Sequence, residues 1–177
     1  MKLPRFSNIT LIMRALLGGL ILLFAWIWWF IFHRFYNNSQ QFYHYLSNLT
    51  DHSIIKIKLA EKVYTVEVVN RPGSIQQGLS SRQQIGSDGM LFVLPVKTYH
   101  SFWMIDMQFP LDILWFDNQR LVEITSNVAA PAPNTPVAAL PLYTSHKKAN
   151  LVLEIPGGHA NLMSLQVGDQ LSLQSTN

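Results

Sequence analysis

An acid set inside an apolar stretch is the first residue of this chain that could do chemistry. Asp112 lies between Pro110-Leu111 and Ile113-Leu114-Trp115. A buried carboxylate must be paired, hydrogen-bonded or neutralised. Two readings follow: a site acid that accepts from a ligand, or a structural acid that fixes a neighbouring loop or pairs with Arg82. In a strand of period two, Asp112 shares a face with Leu114 and Phe116 and opposes Ile113. Trp103, between Phe102 and Met104, is the second candidate. Its ring could stack on a sugar or another flat ligand, or pack in the core. Arg82 has the planar fork that grips a carboxylate or phosphate in bidentate fashion. Tyr143 follows a proline-rich stretch, where it lines a pocket or pins that stretch.

Other chemistry is thinly represented. The chain has no cysteine, which excludes disulfides, thiolate catalysis and thiolate metal sites. His100, His146 and His159 lack the close spacing of a metal-binding pair, so neither a metal nor a cofactor is expected. No nucleophile elbow, zinc-protease helix motif or phosphate-binding loop is present. General acid–base work by Asp112 needs a second group in matched geometry, and spacing names none. A catalytic residue is therefore not assigned.

The elements that would hold these residues read mainly as strands. Ile55, Ile57 and Leu59 alternate with Lys56 and Lys58, and Val63–Val69 follows as a hairpin partner. Pro72 opens a short helix. Further strands are expected at 90–94, 99–104, 111–116, 120–125, 149–155 and 170–174, with a second short helix after Gly157-Gly158. Four prolines between Pro131 and Pro141 make 128–142 a loop. Short strands without strand–helix–strand alternation predict a mainly β fold: a small antiparallel sandwich or barrel with one or two short helices.

Ahead of this domain, residues 15–32 carry no charge. With Leu11–Met13 they make a run of roughly 18–22 residues, enough to span the hydrocarbon core as a helix. Trp26, Trp28 and Trp29 cluster toward one end, as interfacial aromatics do. A cleaved signal sequence would be shorter and end in small residues. Lys2, Arg5 and Arg14 precede the run, and Arg34 follows it. The positive-inside rule puts the N-terminus in the cytoplasm and the domain on the far side of an inner or plasma membrane. The expected organisation is an anchor over 1–35 with the span at about 11–32, a juxtamembrane linker over 36–53, and a β-rich domain over 54–177. Beyond Arg34 stand nine of the thirteen basic residues and all ten acids, a net charge of −1. A nucleic-acid binder shows a basic face on its domain, and this composition predicts none.

The stretch from about Val63 to Leu173 resembles the domain-of-unknown-function family number 192. The residues that carry the likeness are Pro72, Gly78-Leu79 and Arg82; Gly89-Met90-Leu91-Phe92-Val93; Ser101-Phe102-Trp103-Met104 with Pro110-Leu111-Asp112-Ile113; and Tyr143, Val152-Leu153-Glu154 and Gly168-Asp169. The resemblance implies a compact β-rich domain of jelly-roll or barrel character, with many members exported or lipid-tethered, and it supplies no reaction. This chain departs from the pattern at Gln77, where Arg is usual, at Ser80, where Met is usual, and at Ile105-Asp106-Met107, where Lys-Asn-Thr is usual. If those positions form a shared site, this copy has altered it.

Three functions are open. The first is a binding module holding a small molecule or glycan against Arg82, Trp103, Asp112 and Tyr143. The second is an interaction or assembly protein that holds an envelope partner near the bilayer. The third is a hydrolase built on Asp112.

Overall fold

A computed structural model describes the backbone of residues 7–174. Lys2 and Arg5, which carry part of the orientation argument, lie outside the described residues, as do the last three residues of the expected domain. The chain divides into two compact units, Met1–Gln40 and Gln41–Asn177. Helix α1 runs Ser7–Asn48, and its Leu16–Asn48 part is long and apolar enough to cross a membrane. In the first unit, every side chain from Leu16 to Arg34 is exposed.

The second unit holds the end of α1 and the strands β1 (Ser53–Leu59), β2 (Lys62–Val69), β3 (Gly89–Thr98), β4 (Ser101–Phe102), β5 (Leu111–Asp117), β6 (Arg120–Val128), β7 (Tyr143–Thr144), β8 (Ala149–Pro156) and β9 (Leu171–Leu173). Two short α-helices, α2 (Pro72–Gln77) and α3 (His159–Leu162), and a single 3-10 turn at Val137–Ala139 complete it. The fold is mainly β, as expected from the strand pattern. Seven strands form one sheet in the order β6-β5-β8-β3-β2-β1-β9, and β4 pairs with β7 apart from it. The sheet curls: its edge strands meet at one end, where Arg120 bridges Gln170 and Leu121 donates its amide to the Asp169 carbonyl. The result is a half-barrel.

One pairing differs from the antiparallel expectation. β2 and β3 run parallel, with Val66 opposite Gly89 and Val69 opposite Phe92. The connection between them contains α2 and is long enough for the crossover that parallel strands require. Pro95 does not end β3 either. It sits where the β3–β8 register shifts between Val93 and Thr98, so its missing N–H interrupts no regular ladder. The stretch 99–104, expected as a full strand, keeps only the two residues of β4.

Both faces of the sheet are covered. On one, Leu151, Leu153 and Ile155 of β8 pack with Leu114 and Phe116 of β5 and with Val66 and Val68 of β2. On the other, Val152 packs with Ile113, Trp115, Phe92 and Met90 beneath Leu79, Met104 and Met107. β8 is thus buried at every position from Ala149 to Ile155.

The segment expected as a linker is helical to Asn48 and contributes to the first core. Phe42 and Leu46, one turn apart on the same face, are buried there. The Tyr43 hydroxyl donates to the Leu94 carbonyl at 2.7 Å. The Asn70 side-chain Nδ2 donates to the carbonyls of Leu46 at 3.1 Å and Leu49 at 2.8 Å, satisfying acceptors that the helix end leaves open. The polar composition of 36–53 hid this role, because two apolar residues four apart are all that a docked helical turn needs. Leu46→Ala is expected to lower the unfolding free energy by ~2–5 kcal/mol, measured by denaturant titration. A fragment beginning at residue 54 should lose stability on at least that scale relative to one beginning at residue 41.

Candidate functional site

The four residues singled out by sequence do not converge. Asp112 is fully buried on the face of Leu114 and Phe116, as period two requires. Its Oδ1 accepts the amides of Asn127 at 2.5 Å and Gly158 at 3.0 Å, and its Oδ2 accepts that of Ala160 at 2.6 Å. Gly158 and Ala160 lie at the N-terminus of α3, whose cap residue Gly158 has no side chain to satisfy these donors. Asp112 performs that task from a distant strand. Of its two readings, the geometry is that of the acid fixing a neighbouring loop, and its partners are backbone amides rather than Arg82.

Arg82 is committed elsewhere. Its guanidinium makes two bonds to Glu67, at 2.6 and 2.9 Å, and His52 approaches the same carboxylate at 2.7 Å. The hydrogen bonds from Arg82, with that of His52, hold the Glu67 carboxyl below its usual range against the opposing effect of burial. Tyr143 sits on β7, half-buried against the second core, and lines a shallow depression with Glu123 and His146. Trp103, 45% exposed just beyond β4, follows Phe102, the strand partner of Tyr143, and lines a different depression from that residue.

Trp103 does line a cleft, of about 250 Å³, between α2 with its following loop and the segment after β4. The opposite wall is aromatic. Phe102 meets Phe92 edge to face at 5.2 Å between ring centroids and Trp115 at 5.3 Å. Gly78 closes over Phe92 with φ of +51°, and a Cβ there would lie 3.2 Å from the ring. Met104 and Leu111 add further apolar surface. Gln77, Ser80 and Met107, three positions at which the chain departs from the pattern of its look-alikes, also line this cleft.

Glu154 also lines it. This residue of β8 lies between Met90 of β3 and Ile113 of β5, and it is 5% exposed. Among the described residues, no hydrogen-bond donor or cation is paired with its carboxyl. Burial pushes the group up to about 8, so it is mostly protonated at neutral pH. A neutral carboxyl can donate a hydrogen bond, and an ionised one can accept several or hold a cation. Glu154 has the sequence signal that drew attention to Asp112: a lone acid in an apolar strand, Asn-Leu-Val-Leu-Glu-Ile. In the sequence it stands out only within the family likeness of Val152-Leu153-Glu154. Among the described residues, no group of three or more His, Asp or Glu stands together to hold a metal ion.

The family model of DUF192, described as "Uncharacterized ACR", matches residues 54–173. No curated protein matches the chain. Two crystal structures share its fold. One is a protein from Sinorhizobium meliloti 1021 described as a candidate transcription regulator, with a TM-score of 0.61 and 23% identity over 71% of this chain and 98% of that one. The other is a protein of unknown function from Novosphingobium aromaticivorans, with a TM-score of 0.59 and 24% identity over 67% of this chain and 84% of that one. At this identity the likeness extends to the fold alone.

Two outcomes test these roles. Asp112→Ala leaves three backbone amides without their acceptor and is expected to cost ~3–5 kcal/mol, read as a fall in Tm. Glu154 binds its proton more tightly in the folded chain than in the unfolded one. Stability is therefore full below the ordinary carboxyl range and falls as pH rises toward about 8, by up to ~1.4 kcal/mol per pH unit. Glu154→Gln should flatten that pH profile in thermal melts, and an unchanged profile would refute the assignment.

Proposed function

The chain belongs to the DUF192 family, and we propose that it is a membrane-anchored domain that binds a small molecule or glycan in the cleft between Trp103 and Glu154. The observation that carries this reading is the unpartnered Glu154 carboxyl facing a cleft walled by aromatic rings. Ligand pockets are commonly apolar concavities with a few well-placed polar groups, and this cleft has that composition. A buried carboxyl without a partner destabilises the fold at neutral and alkaline pH, a cost that a ligand interaction would offset.

The anchor reading rests on the uncharged run at 15–32 and on the basic residues ahead of it. In this reading the N-terminus is cytoplasmic and the cleft opens on the far side. Because the chain lacks cysteine, one introduced at Asn134 gives a single labelling site. Reaction of intact cells with a membrane-impermeant maleimide, on a full-length membrane-bound product, is the expected result. Labelling only after lysis would reverse the orientation, and a shortened product would mean that the helix is a cleaved signal sequence.

Ligand binding is tested by intrinsic fluorescence of the full chain in detergent, against a panel of envelope sugars and small metabolites. The expected response is a saturable shift that Trp103→Phe abolishes and Glu154→Gln weakens, while Tyr143→Phe leaves it intact. A panel without any saturable response would count against the cleft as a binding site.

A further inference from the structure

Glu154 lacks not only a donor but any local source of positive charge. None of the residues lining its cleft is Lys or Arg, and the imidazole of His100 is engaged with the Val96 carbonyl at 2.8 Å. Four cations elsewhere in the domain are occupied. Arg82 is held by Glu67, Lys97 by Asp117 and Lys58 by Glu61, and Lys148 lies over the Tyr99 ring. Among the described residues, the carboxyl that opens onto the cleft has no counter-ion. The walls are rings: Phe92 and Phe102 within, Trp103 at 45% exposure beside them. Aromatic faces attract cations through the ring quadrupole, most strongly where water is displaced.

Carboxyl and rings therefore favour one ligand chemistry. An anion meets an acid with no neighbouring cation. A neutral hydroxyl gains one hydrogen bond from a protonated carboxyl and leaves the ring faces without electrostatic use. A small ammonium ion supplies the missing counter-charge and uses the rings as well. Resting on the binding function proposed above, we infer that the ligand of this cleft is a small organic amine in its cationic form, held by the ionised Glu154 carboxylate and the rings of Phe102 and Trp103.

The pairing has a thermodynamic signature. Near neutral pH the empty cleft holds a protonated Glu154, so capture of a cation must expel that proton to the buffer. Affinity for a permanently charged ligand then rises with pH, roughly tenfold between about pH 6 and about pH 7, and levels off above about pH 8. A neutral ligand shows neither proton release nor this slope.

Isothermal titration of the full chain in detergent reads both. Choline and ethanolamine are compared with their uncharged counterparts, dimethylbutanol and propanol, in two buffers of different ionisation enthalpy. The expected result is binding of the cations, release of close to one proton, and a loss of at least about thirtyfold in Glu154→Gln. A melt of that variant confirms that it is folded. Equal binding of charged and uncharged partners without proton release would overturn the amine assignment and leave the cleft reading standing. Binding of an envelope sugar in the fluorescence panel, with no heat from either cation, would do the same. Silence of cations, uncharged counterparts and panel alike would overturn both.

Discussion

β8 runs through the middle of the sheet with a packed core on each side, and that two-sided burial governs what every residue on and beside it can be. A strand open to water on one face tolerates a polar residue at alternate positions; this one tolerates none without compensation. The strand is accordingly close to continuously apolar. Asn150, at its start, is satisfied by a reciprocal pair of bonds with Asn118 in the β5–β6 turn. The neighbouring strand β5 is under the same constraint from Leu111 to Phe116.

Two acids break this rule on adjacent strands, and they resolve it in opposite ways. Asp112 faces the first core and is enclosed by three amide donors from β6 and the start of α3, so the fold satisfies its acceptor capacity. Glu154 faces the second core one register step away, where Ile113 is its neighbour, and the fold satisfies nothing. One acid is spent holding loops in place. The other is left unpaired at a point where the second core opens to a cleft. The contrast gives Glu154 its interest: burial raises the free energy of both charges, and only one is compensated from within.

The first core also draws on a segment outside the sheet. Phe42 and Leu46 bring the last turns of α1 under the strands, and Asn70 closes the helix end from the loop after β2. Nearby, Asp51 accepts from the Asn70 amide and the Ser74 hydroxyl, which ties the start of β1 to α2. α2 and the loop after it form one side of the cleft, so the helix end, the crossover and the cleft share a chain of direct contacts.

Local pattern was enough to read the β1–β2 and β5–β6 hairpins, the proline-rich loop, both short helices and the apolar run of α1. Alternation, turn residues and proline act over a few neighbours, and their physics is complete within a short window. It also put Asp112 on the face of Leu114 and Phe116. What alternation does not carry is the identity of the element across the face. Whether a buried acid meets three amides or an empty cleft depends on α3 and on the loop after β4, which are remote in sequence. The parallel β2–β3 pairing, the docking of Leu46 and the commitment of Arg82 to Glu67 are likewise settled by long-range contacts. Apolar pattern along the chain marks which strands must be buried; folding chooses which of their acids finds a partner, because hydrogen bonds and ion pairs are made in space and not along the chain.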